Sequence, residues 1–105
     1  MPEPRRPVLT LPPKTEQQFM AEVVAYAKLR HWRVFHPRWS MQSAAGWPDL
    51  CLTRGGRLLF WECKRDGKEP TAAQAGWLRD LADCPGVEVA CVHPADWPAI
   101  AACLR

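Results

Sequence analysis

The stretch Gly46-Trp47-Pro48-Asp49-Leu50-Cys51-Leu52-Thr53-Arg54-Gly55-Gly56-Arg57-Leu58-Leu59-Phe60-Trp61-Glu62-Cys63-Lys64 decides the fold. Two short apolar runs flank a glycine pair. Glycines accept the positive φ of a two-residue turn, so the stretch predicts a β-hairpin. Strand alternation puts Glu62 and Lys64 on one face of the second run with Leu58 and Phe60, and puts Leu59, Trp61 and Cys63 on the other. Apolar residues on both faces predict a central strand covered on each side. Within this apolar setting stand three charges, Asp49, Glu62 and Lys64. An unpaired carboxylate or ammonium is costly to bury, so such groups are expected to meet a partner or a metal.

Asp49 and Glu62 come from neighbouring strands of the hairpin, where two carboxylates can converge on one ion. Carboxylates are hard oxygen ligands that suit Mg²⁺ or Mn²⁺. Lys64, one pleat further along the same face, is placed to hold a phosphate oxygen or an attacking water beside that ion.

Pro48-Asp49, a gap of twelve residues, then Glu62-Cys63-Lys64 resembles the PD-(D/E)XK nuclease superfamily. The fuller run Gly46-x-Pro48-Asp49-Leu50, Glu62-x-Lys64, Gly67-Lys68 and Gln74 resembles its VRR-NUC branch, and the likeness covers nearly everything from Thr15 to Arg105. Such a resemblance implies an α/β fold with a restriction-endonuclease-like core in the order αβββαβ(α), a central four-stranded mixed sheet flanked by helices. It implies catalysis by Asp49, Glu62, Lys64 and Gln74, and a metal held by Asp49, Glu62, the Cys63 backbone carbonyl and Glu16. It also implies a homodimeric endonuclease that cuts four-way (Holliday) junctions or other branched DNA.

The rest of the chain fits around the hairpin. Thr15 is an N-cap for a helix running to about Arg30, with Glu16, Met20, Val23, Val24 and Ala27 on one stripe. Glu16 carries two readings: an acidic residue that complements the helix dipole, or a member of the metal site. Glu22 projects from another face and is the weaker candidate. Residues 32–36 read as the first strand, with Trp32, Val34 and Phe35 as its bulk. Residues 37–45 read as a loop bordering the active centre, in which Arg38 is a candidate phosphate contact, Ser43 a candidate nucleic-acid contact, and Trp39 either a base-stacking residue or one packed at the sheet edge. Lys68, in a polar turn after the hairpin, is a further candidate phosphate contact.

Thr71 caps a second helix to about Ala82, and Thr71-Ala72-Ala73-Gln74 matches a capping box. Gln74 also lies on the sheet-facing stripe with Trp77, Leu78 and Leu81, which gives it a second, functional reading. Cys84-Pro85-Gly86 ends that helix. Residues 87–92 read as a fourth strand, parallel to the third because a helix connects them. A last helix near Asp96 turns Ile100 and Leu104 inward.

Composition bounds the function. At 105 residues the chain is one domain, and 48% hydrophobic residues exclude a disordered chain. Residues 1–14 read as a flexible arm holding five of the eleven prolines with Arg5 and Arg6, and residues 15–105 as one domain. The five cysteines show no C-x-x-C pair and read as reduced, structural residues. No run of about 18 apolar residues is present, so the chain is expected to be cytoplasmic, without a membrane partner. Through Arg38, seven Lys and Arg stand against three Asp and Glu; the remainder has seven against eight. A basic half beside an acidic centre suits a polyanion, although an ordinary solvated surface also accounts for it. Two further functions stay open: a nucleic-acid-binding module without catalysis, and a nuclease subunit whose specificity comes from a partner.

Overall fold

The computed structural model describes residues 12–37 and 44–105. Helix α1 (Glu16–Leu29) is followed by β1 (Arg33–Phe35), β2 (Leu50–Arg54), β3 (Arg57–Cys63), α2 (Ala72–Ala82), β4 (Val87–Val92) and α3 (Trp97–Leu104). A short 3-10 turn, Pro94–Asp96, leads into α3. The protein is α/β, with a four-stranded mixed sheet in the order β1-β2-β3-β4. The first two pairings are antiparallel and β3 runs parallel to β4, as the intervening α2 requires.

The hairpin turns at Gly55 and Gly56, whose φ values are 55° and 81°. Both central residues of this turn need positive φ, which glycine adopts without a Cβ clash. The register that follows sets Leu50 opposite Trp61 and Leu52 opposite Leu59. These four side chains share one face and join Phe19, Val23 and Ala27 of α1 with Ile100 and Leu104 of α3 in the buried core. On the opposite face Leu58 and Phe60 are only half-buried beneath α2, and Glu62 alone is fully enclosed. The expectation of equal cover on both faces therefore holds for one face only. The short α2 has no fully buried residue of its own.

The core stripe of α1 is Phe19, Val23 and Ala27, while Met20 and Val24 sit on its half-buried shoulder. Both long helices begin with a complete capping box: Thr15 with Gln18, and Thr71 with Gln74. β1 is shorter than expected, and Phe35 is 63% exposed because no element among the described residues packs over it on this edge strand. Trp32 precedes β1 and is buried, its Nε1–H donating to the Leu104 carbonyl at 2.9 Å.

At the turn end of the hairpin two arginines fasten α3. Arg54 donates to the carbonyls of Arg30, Leu104 and Arg105, and Arg57 donates to the Cys103 carbonyl and to both oxygens of Glu88. Both guanidinium groups lie over the Trp32 ring, at 4.5 and 5.2 Å from its centroid. The opposite end of the hairpin carries Asp49, Glu62 and Lys64. No helix among the described residues is long and apolar enough to cross a membrane. The five cysteines form no disulfide, and Cys51, Cys63 and Cys91 lie in strands as expected.

Candidate active site

Asp49 stands immediately before β2, at the end of a tight approach. Gly46 turns the chain with φ 84°, and a Cβ there would meet the Ala73 carbonyl carbon at 2.5 Å. Trp47 wedges edge-on against Phe60 and Trp77, with ring centroids 5.6 and 4.8 Å away, and Trp77 Nε1–H donates to the Ala45 carbonyl. This turn is thereby fixed to the first turn of α2. Pro48 is buried, and Asp49 follows with one carboxylate oxygen, Oδ2, accepting from the Cys63 N–H at 2.9 Å.

Glu62 is 1% exposed and is the only buried charged residue among those described. Its Oε1 accepts from Gln74 Nε2–H at 3.0 Å, while its Oε2 is buried without a donor among the described residues. Burial pushes the Glu62 carboxyl up to about 8; the adjoining Asp49 carboxyl pushes the same way and the Lys64 ammonium opposes it. Burial also pushes the Cys63 thiol well above its ordinary range, so that thiol is packing and not a nucleophile.

Gln74 satisfies both of its readings at once. Its Oε1 accepts from the Thr71 N–H at 2.8 Å, closing the capping box, while its amide nitrogen holds Glu62. One side chain therefore couples the start of α2 to the acid on β3.

Lys64 lies just beyond β3 and is half-buried, its N–H donating to the Val92 carbonyl. It lines a small cleft with Glu16, Lys68, Thr15 and Thr71, where the N-termini of α1 and α2 meet. Glu16 is thus brought to the Lys64 side of the site, and its charge reaches Glu62, but among the described residues no three His, Cys, Asp or Glu side chains gather as a metal-binding set. Glu22 is instead paired with Lys14 at the exposed surface, at 2.6 Å. Asp49 and Gln74 line a second, larger cleft of about 890 Å³ that runs along α1 from Gln17 to Lys28. Arg38, Trp39 and Ser43 lie outside the described residues, as do Arg5 and Arg6.

The loop between Lys64 and α2 is tied down from the 3-10 turn that follows β4. His93 Nε2–H donates to the Lys68 carbonyl at 2.8 Å, and the Ala95 N–H donates to Asp66. These anchors escape sequence reasoning because the partners are about 25 to 30 residues apart.

The donor set fits a divalent cation. An orphaned, buried carboxylate oxygen beside a second carboxylate is a strained arrangement that a dication relieves, and both are hard oxygen ligands. The Cys63 carbonyl adds a third oxygen: within a strand a residue's N–H and C=O turn to the same edge, and the Cys63 N–H faces Asp49. No family model, curated protein or solved structure matches this chain.

Proposed function

We propose that the protein is a Mg²⁺- or Mn²⁺-dependent endodeoxyribonuclease of the PD-(D/E)XK kind, in its VRR-NUC branch. The observation that carries this reading is Glu62, enclosed against a second carboxylate with one oxygen that no described residue satisfies. A buried acid set against a second, partly buried carboxylate has little structural use, because it opposes folding unless a cation joins the two.

The divalent ion, when bound, supplies a Lewis acid for the phosphate and a water of lowered pKa. Asp49, Glu62 and the Cys63 carbonyl would hold that ion. Gln74 fixes Glu62 through Oε1, leaving Oε2 as the free ligand atom. Lys64 orients the attacking water and stabilises the negative charge that develops on the phosphate oxygens. Lys68, exposed on the anchored loop beside Lys64, meets a neighbouring phosphate. Glu16 adds acidic charge at the same cleft. Arg38, Trp39 and Ser43 extend the nucleic-acid contact.

Branched DNA is the substrate, with the four-way junction favoured. One chain carries one such centre, and symmetric incision of a junction takes two, which a two-fold homodimer provides. Purified protein is incubated with four-way junction, flap, duplex and single-stranded DNA in Mg²⁺, Mn²⁺ or EDTA. Junction cutting that needs the metal and falls about 10² to 10³-fold in Lys64→Ala is the expected result. Cutting that persists in EDTA removes the metal mechanism, and equal cutting of junction and duplex removes the specificity. Binding without cutting, unchanged in Asp49→Asn, would instead make the protein a binding module.

A further inference from the structure

Asp49 is gripped from two sides. On one side its carboxylate accepts from the Cys63 N–H. On the other, its main-chain carbonyl accepts from His36 Nδ1 at 2.8 Å, a residue that the nuclease motif does not contain. A carbonyl oxygen only accepts, so this ring nitrogen bears the proton.

The sequence explains why a side chain does this work. The β1–β2 register pairs Arg33 with Thr53, Val34 with Leu52 and Phe35 with Cys51. Carried two residues further, it sets Pro37 opposite Asp49. Proline has no N–H, so the ladder ends where the Asp49 carbonyl still needs a donor. The His36 ring, one residue earlier, supplies it. His36 is exposed and outside the core, so what it offers the fold is this bond and not buried surface.

We propose that His36 is a positioning residue: by holding the Asp49 main chain it sets the Asp49 carboxylate for the metal, a role that rests on the reading of Asp49 as a ligand. Hydrogen bonds one step removed from a metal typically change its affinity about 10 to 100-fold. The test is a calorimetric Mn²⁺ titration of the full chain as wild type, His36→Ala, His36→Asn and His36→Gln, with thermal melts in EDTA. The asparagine amide N–H falls near the position of Nδ1, whereas that of glutamine reaches towards Nε2. Expected are Mn²⁺ affinities about tenfold or more weaker in His36→Ala and His36→Gln, near-wild-type affinity in His36→Asn, and closely similar melts throughout. Wild-type affinity in His36→Ala overturns the role of His36, as does an asparagine variant no better than the glutamine one. If the wild type itself takes up no Mn²⁺, the metal reading falls and this role with it, an outcome distinguished because all four proteins are then silent.

Discussion

At the scale of single residues, the molecule concentrates its unfavourable electrostatics at Glu62. Removing the neighbouring charge relieves it: Asp49→Asn is expected to melt higher than wild type in EDTA above about pH 8, while losing at least about 10²-fold in hydrolysis. Higher stability with lower activity is the signature of a site built for a ligand, and a fall in both would mark Asp49 as structural. Gln74 is separable in the same way. Gln74→Ala loses both the helix cap and the Glu62 donor and is expected to cost about 1 to 2 kcal/mol in urea unfolding. Gln74→Glu keeps an oxygen to accept from the Thr71 N–H but places a third carboxylate against Glu62, so its metal-free stability falls more steeply with rising pH than that of the alanine variant.

At the scale of elements, the site depends on how the turn before β2 meets the start of α2. A methyl group on Gly46 would sit 2.7 Å from the Gln74 backbone nitrogen and 2.5 Å from the Ala73 carbonyl carbon, and the φ of 84° is itself unfavourable for alanine. Gly46→Ala is therefore expected to lose about 1 to 3 kcal/mol in urea unfolding and to weaken Mn²⁺ binding, because α2 must move and carries Gln74 with it. By contrast, the hairpin glycines have open space around them. Gly55→Asn keeps the turn type and is expected to fold and cut as wild type, which circular dichroism and the junction assay check together.

At the scale of the whole molecule, stability and metal binding are linked through pH. The folded-state pKa of Glu62 lies above its unfolded value, so between the two the folded protein binds the extra proton and stability falls as pH rises to about 8. His93 acts in the same direction. Its bonds to the Lys68 carbonyl and Asp96 raise its pKa, giving stability that is full below the ordinary histidine value and is lost as pH rises through the folded one. Thermal midpoints in EDTA from about pH 5 to about pH 9 should therefore decline, and Glu62→Gln should remove the part of that slope due to Glu62. Adding Mg²⁺ requires the ionised pair, so the shift that the metal produces should grow with pH over the same range. A metal-induced shift independent of pH would place the ion elsewhere.

What the sequence by itself determined was local: the hairpin at Gly55-Gly56, both helix starts at Thr15 and Thr71, the capping box of Gln74, and the order of helices and strands. Each follows from alternation or capping over a span of a few residues. The shared face of Glu62 and Lys64 was readable for the same reason. Tertiary structure decided which groups lose water and which meet. It left Phe35 in solvent because its face of the edge strand is uncovered among the described residues, and it drew Phe19 into the core in preference to Met20. It joined Gln74 to Glu62 and His36 to Asp49, contacts that depend on where α2 lands and where the β1–β2 ladder stops. Burial and long-range hydrogen bonding belong to surfaces brought together from distant parts of the chain, and no periodicity along one strand or helix records what will cover it.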